Sequence, residues 1–283
     1  MMKQKKTKKV IFLRDHKEKK PNKKIDTDPQ GTEHKGLKGL YELIFRRFKT
    51  AMYLVTIAPL YALGSIFMGL ALAPGILVFK WTSHVVADQN FVLQAIGQGL
   101  AVALGFFIFG MSLIFIVPFA NFILRTQPGV YRGPYYSADF LKWFVHNSLT
   151  YLVRYTFLEF ITPTPFNLLF YQMMGMKIGR GTQINTSNIS DPALIELGEF
   201  VTIGGSATLC AHYGQGGYLV LAPIKIQNGV TIGLKASVMG GVEIGEGAKV
   251  LPHSIVLPKT IIPAGETWGG VPAVCLKAAE KAA

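Results

Sequence analysis

Cysteine is scarce: the 283 residues contain two, Cys210 and Cys275. Two thiols without paired spacing exclude a disulfide framework and a Cys-rich metal module, and leave reduced thiols facing a reducing compartment. Charge is scarce too, at 16% of residues, with sixteen acids against twenty-nine Lys and Arg. The basic excess is local. Residues 1–50 hold sixteen basic and six acidic side chains, whereas residues 175–283 hold eight and seven. That distribution excludes a folded nucleic-acid-binding face, and no nucleic-acid partner is expected. The opening "KQKKTKKVIFLRDHKEKKPNKK" has almost no aromatic residues and cannot bury a core, so residues 1–45 are expected to form a basic tail without fixed structure. Attraction to anionic lipid headgroups, nucleic-acid binding and a solvated role in setting topology all fit such a tail. The apolar segments after residue 50 favour the membrane.

Two stretches lack charge altogether. Residues 51–79, "AMYLVTIAPLYALGSIFMGLALAPGILVF", and residues 91–124, "FVLQAIGQGLAVALGFFIFGMSLIFIVPFANFIL", contain no Asp, Glu, Lys or Arg. About twenty apolar residues cross a bilayer, so each run is long enough with some tilt or overhang. Buried helices of soluble proteins seldom reach this length without charge, and residues 46–129 read as a transmembrane helical hairpin. Pro59, Pro74 and Pro118 fall inside the runs, where kinks or helix ends are expected. A cleaved signal peptide is not expected behind so long a polar start. The connector Lys80 to Asn90 carries one Lys and one Asp, while Arg125, Arg132, Lys142 and Arg154 follow the second run. Loop charge of this kind predicts two spans in the inner (cytoplasmic) membrane, with both termini inside the cell.

Residues 130–174 change character again. In "ADFLKWFVHNSLTYLVRYTFLEF" the apolar positions Phe140, Leu141, Phe144, Val145, Leu149, Leu152 and Val153 recur at helical spacing. Trp143 and several Tyr suit the headgroup level, which predicts an amphipathic helix lying on the cytoplasmic surface.

From Met176 the period becomes six. Aliphatic residues fall at Ile178 and Ile184, then after a break at Leu197, Ile203 and Leu209. After a second break come Ile226, Ile232, Val238, Ile244, Val250, Val256, Ile262, Trp268 and Val274. Gly often follows the aliphatic residue (179, 198, 204, 233, 245), where turns needing unusual backbone angles are expected. A small or branched residue sits four places on, as at Ala236, Ala248 and Ser254. This is the pattern of a left-handed parallel β-helix built from hexapeptide repeats, three to a coil of about eighteen residues. Stacked coils supply a core that no single coil could bury. Residues 175–276 form this domain and residues 277–283 a C-terminal tail. The fold class is therefore β, a hexapeptide β-helix C-terminal to two transmembrane helices and an interfacial helix. The second break, "LCAHYGQGGYLVLAPIKI", contains His212, and loops leaving a rigid scaffold are common places for chemistry.

The elements "PIKIQNGVTIG", "GGVEIGEGAKV" and "GGVPA" resemble the hexapeptide-repeat acyltransferases over residues 175–276. Those enzymes have a proline-led coil after the catalytic loop and a closing Gly-x-Pro-Ala, here Pro223 and Gly270 to Ala273. A resemblance over more of the chain, through "GMKIGRGTQINTSNISDPALIELGEFVTIGGSATLCAH" and "PAGETWGGVPA", is to the membrane-embedded C-terminal repeats of poly-lysine-type nonribosomal peptide synthetases. The sequence contains no adenylation or carrier domain, so the activated donor is expected from a separate protein or from CoA.

The resemblance implies a catalytic base at His212, which stands just before the proline-led coil. An imidazole near neutral pKa can take the proton from an attacking hydroxyl or amine, and backbone N–H groups near glycines can stabilise the oxyanion. It also implies a donor groove near Leu251, Ser254, Lys259, Gly269, Gly270, Pro272, Ala273 and Lys277, with the two lysines meeting phosphates. Val274 stands where a Lys is frequent, and Pro252 and His253 replace common Gly or Ala. The donor is thus acyl-CoA or a carrier-protein-bound thioester. His253 is read as surface or interface structure. No metal is expected, since two histidines in the repeat fall short of the three that a carbonic-anhydrase-like site needs. The reading is a membrane-anchored, homotrimeric acyltransferase in contact with membrane lipids. The alternatives are an amide-bond-forming partner of a separate adenylation or carrier protein, and a non-catalytic β-helix scaffold.

Overall fold

The computed structural model describes residues 35–135 and 137–279, so most of the expected basic tail, and the last four residues, lie outside the described residues. The end of that tail is ordered, because Gly36–Arg47 forms a helix (α1). The chain divides into two compact units, one mainly of helices and one of strands.

The helical unit holds α1, α2 (Lys49–Val85), α3 (Phe91–Leu124), α4 (Ala138–Val153) and α5 (Pro165–Met173). Pro59, Pro74 and Pro118 lie inside α2 and α3 without ending them. The first helix also runs past Lys80 to Val85, so the connector shortens to Val86–Asn90. Asn90 caps α3, its side chain accepting the Leu93 N–H at 3.1 Å. The two helices contact at glycine: a Cβ built on Gly75 would stand 3.1 Å from the Gly105 backbone. Small residues there let the two backbones close up. Segments Leu54–Val85 and Phe91–Leu124 are long and apolar enough to cross a membrane. They are also largely uncovered, with 17% and 33% of their apolar windows buried, unlike core helices of a soluble fold.

The segment read as a surface-lying helix is packed more deeply than expected. Phe140, Trp143, Leu149 and Val153 of α4 and Phe170 and Tyr171 of α5 are buried. A π-helical turn, Arg154–Leu158, continues α4 and brings the Phe157 ring onto Gly110 of α3, where any Cβ would overlap it. Trp143 therefore serves the interior of this unit, which helical periodicity alone could not distinguish from a lipid-facing stripe.

The strand unit is a three-faced prism of short parallel strands. The first face stacks Lys177–Ile178, Ile195–Leu197, Ile224–Ile226, Glu243–Ile244 and Ile261–Ile262. The second stacks Gln183–Ile184, Thr202–Ile203, Thr231–Ile232, Lys249–Val250 and Thr267–Gly269; the third stacks Ile189–Ser190, Thr208–Cys210, Ser237–Met239 and Ile255–Val256. Ile226 pairs with Ile244 and Ile244 with Ile262, each eighteen residues on, as three hexapeptides per coil require. Val201, Ala207, Val230, Ala236, Val242, Ala248 and Ser254 are buried too, so each hexapeptide sends two side chains inward.

Two expectations about the repeat are corrected. The glycines after the aliphatic residues do not supply unusual backbone angles. A Cβ on Gly179, Gly233 or Gly245 would stand 2.4–2.5 Å from the backbone of the next coil, so they permit close stacking. Positive φ falls two places later, at Gly229, Gly247 and Gly265 but also at Phe200, Lys235, His253 and Lys259. The ladder also ends at Trp268. Val274 belongs to a strand, Val274–Lys277, that turns back antiparallel on Thr267–Gly269 and is exposed.

Candidate active site

Both breaks in the period are on the third face. Between Leu209 and Val238, paired rungs, the chain runs twenty-nine residues instead of eighteen. The surplus is a β-hairpin, His212–Gln215 against Tyr218–Leu221, turned by Gly216 and Gly217 at φ +57° and +82°. Two successive positive angles are what a two-residue hairpin turn demands. At the hairpin foot the Ala222 N–H donates to the Ala211 carbonyl at 2.8 Å. The next coil passes so near that a Cβ on Gly240 would come within 2.7 Å of that same oxygen. His212 thus begins a rigidly rooted excursion.

The first break faces it. Ile189 is a rung five residues after Ile184, paired with Leu209, and Ser190 pairs with Cys210. The chain then kinks at Asp191, φ +61°, into a short turn, Pro192–Leu194. Asp tolerates this conformation better than most residues. Its carboxylate is fully buried, and His212 Nδ1 lies 2.6 Å from Asp191 Oδ2. Cys210 Sγ lies 3.5 Å from Nδ1 and 3.6 Å from Nε2, and its S–H donates to the His212 carbonyl at 3.3 Å. Burial alone pulls the imidazole pKa down. That is the largest single influence, but the hydrogen bonds and charges of Asp191 and Cys210 together outweigh it, pushing His212 up to about 10 from its ordinary 6.5.

Asp191, Cys210 and His212 place three ligating atoms within 4.8 Å of one another. Two ligands of a tetrahedral zinc, each about 2.0 Å from it, stand about 3.3 Å apart. The 2.6 Å Asp191–His212 contact is shorter and is a hydrogen bond as it stands. The chemistry this arrangement offers is proton transfer at an imidazole oriented by a buried acid, beside a thiol.

The residues read as a donor groove fall into two groups. Lys259, at φ +61°, lines a cleft of about 350 Å³ with Leu257, Pro258 and the hairpin residues Tyr213, Gly214 and Gln215. This brings Lys259 to the hairpin that carries His212. The others gather at the last coils: a Cβ on Gly269 would lie 3.0 Å from Leu251 Cδ1, and the Ala273 N–H donates to Ile255. Ser254 is fully buried and accepts the Gly270 N–H at 3.2 Å, so its hydroxyl supports this loop. Pro272 and Lys277 are exposed, Lys277 opposite Thr267. His253 is exposed at its left-handed corner.

Sequence reasoning does not single out Asp191 or Cys210. A signal exists: Ile184 and Leu197 are thirteen residues apart where two hexapeptides need twelve, and the surplus contains the acid of "SDPAL".

No family model matches the chain. Among characterised proteins it is 28% identical over 158 residues to delta-poly-L-ornithine synthetase of Acinetobacter baumannii, which covers 56% of this chain and 12% of that protein. It is 37% identical over 100 residues to serine acetyltransferase of Escherichia coli K12, covering 34% of each. Among solved structures, the hexapeptide-repeat acetyltransferase VCA0836 from Vibrio cholerae aligns with TM-score 0.40 at 16% identity, over 50% of this chain and 94% of that one. The chain thus spans about an eighth of the synthetase and a third of the serine acetyltransferase. In sequence it is similar to a poly-ornithine synthetase over about half of its length and to a serine acetyltransferase over about a third.

Proposed function

We propose that this protein is a membrane-anchored acyltransferase that moves an acyl group from a thioester to a hydroxyl or amine. The observation that carries the reading is the 2.6 Å Asp191–His212 pair at the foot of the hairpin, where the repeat is broken twice on one face. Asp191 orients the imidazole through Nδ1 and leaves Nε2 for the proton of the acceptor. Deprotonated, His212 is the general base; held protonated, it hands a proton to the departing thiol. The relation to serine acetyltransferase supports acyl transfer, and the relation to a poly-ornithine synthetase favours an amine acceptor delivered with a separate carrier protein as the second reading.

In this proposal Lys259 meets the donor's phosphates beside the hairpin, with Leu251, Gly269, Gly270, Pro272, Ala273 and Lys277 forming the farther part of the groove and Ser254 holding it in shape. CoA and a carrier-bound phosphopantetheine share that phosphate-and-thioester chemistry. The two long apolar helices anchor the enzyme in the cytoplasmic membrane, both ends inside, and the active unit is a homotrimer.

The test is transfer from a panel of CoA and carrier thioesters, measured in membranes, for wild type and His212→Ala. Loss of turnover with the fold retained is the expected result. Unchanged turnover removes His212 from the chemistry, and an inactive wild type favours a non-catalytic scaffold. Topology is read by a membrane-impermeant maleimide, which should label exposed Cys275 in inverted vesicles and not in intact cells.

A further inference from the structure

We propose that α1 lies in the headgroup layer of an anionic membrane leaflet, its outward apolar stripe among the acyl chains and its exposed basic side chains on lipid phosphates. This rests on the membrane-anchored reading above and is independent of the acyl-transfer chemistry.

The helix is inside out for water. Leu37, Leu40, Ile44 and Phe48 follow one another at intervals of three, four and four residues, the spacing of one helical face. All four are exposed, Leu37 by 86% and Phe48 by 58%. Leu43, on the flank of the stripe, is exposed as well. The inward face holds Phe45, but also Glu42 and Arg46, which are only 5% and 4% exposed. Enclosing two ionisable side chains while large apolar ones stand outside is unfavourable in water. It is favourable where the stripe meets hydrocarbon.

The surroundings that fit are an anionic leaflet. α1 packs on α2, and uncovered apolar surface resumes within two turns, at Leu54 and Val55. Phe48, at φ −122° and ψ 50°, breaks the helix between the two, so α1 does not prolong the axis of the spanning segment. An amphipathic helix placed this way settles along the interface. The charges select the lipid. Between Lys35 and Thr50 the only acid is Glu42, and it is buried, whereas Lys35 and Arg47 are exposed at the two ends of α1. Residues 1–50 add to the same sign, with sixteen basic side chains against six acids. Anionic headgroups attract such a segment over zwitterionic ones. A second copy of α1 is a poorer occupant, because in either direction it would set one cationic end against another.

The test uses the full-length protein with a single cysteine at Leu40→Cys or Ile44→Cys, Cys210 and Cys275 being replaced by Ser. The cysteine carries an environment-sensitive fluorophore, and the protein is reconstituted in phosphatidylcholine vesicles with or without phosphatidylglycerol. Emission should shift to the blue and be quenched by lipids brominated in their acyl chains. Quenching should be about 2-fold stronger with phosphatidylglycerol, and the difference should fade as salt is raised. Hydrogen exchange across residues 37–47 of the unlabelled wild type should be slower in the anionic vesicles, and unchanged exchange would overturn the proposal without any substitution. Water-like emission in both vesicles overturns it too. A blue shift that brominated lipid cannot quench means that protein covers the stripe, and equal quenching in both vesicles removes the headgroup recognition; either result overturns the proposal. Flotation separates this from the anchoring reading. Protein that floats with the vesicles while its α1 fluorophore stays in water refutes the proposal alone, and protein that does not float refutes both.

Discussion

The coils from Ile226 to Trp268 and the broken coil from Ile189 to Ile226 belong to one prism and obey different rules. In the first, every rung finds its partner eighteen residues on, and inward positions are filled by aliphatic or small side chains. In the second, partners stand twenty or twenty-nine residues apart, a carboxylate is fully buried, and a hairpin leaves the wall. Regular stacking makes a rigid body with little chemistry in it. The irregular coil uses that rigidity to hold Asp191, Cys210 and His212 together. Such departures from local consistency are costly to keep, so they concentrate where a site needs them.

The contrast can be broken at either end. The largest effect should come from His212→Ala, with transfer falling about 100- to 10,000-fold; the buried Asp191 carboxylate also loses its imidazole, so the protein still folds but unfolds at a lower temperature in detergent. Asp191→Asn should come next, with activity down about 100-fold because the imidazole loses its orienting partner. That variant also changes pH dependence. His212 has its folded pKa raised from 6.5 to about 10, so its charge contributes stability fully below 6.5 and loses it as pH rises through about 10. Melting temperatures of wild type and Asp191→Asn should therefore differ most near pH 6 and converge by about pH 10 to 11; a gap constant with pH would show that the pair is not an ion pair.

Within the regular coils the effects concern stability alone. Gly233→Ala puts a Cβ 2.4 Å from the Pro252 nitrogen and should cost about 3 kcal/mol. Gly247→Ala meets nothing within 4 Å at φ +64°, and should cost only about 1 kcal/mol of backbone strain. Equal losses in denaturation experiments would contradict the distinction between stacking and turn glycines. The smallest change is Ile244→Val, about 1 kcal/mol for one methylene in a packed rung, with activity retained.

Much of the molecule was legible without coordinates. The six-residue beat announces stacked coils because burial of one aliphatic per short strand is a local pattern repeated in space. The charge-free runs of α2 and α3 announce their length and apolar surface for the same reason. Sequence draws attention to His212 because it sits where the beat fails. What sequence could not reveal were the partners. Asp191 lies twenty-one residues from His212, and only the stacking of one coil on the next, with a left-handed kink at Asp191, sets carboxylate against imidazole. The same holds for Trp143, whose periodicity fits lipid or protein equally until packing chooses. Periodicity is a one-dimensional trace of burial, and sequence determines it directly. The meeting of distant polar groups depends on coil geometry and turn angles, and the tertiary structure decides it.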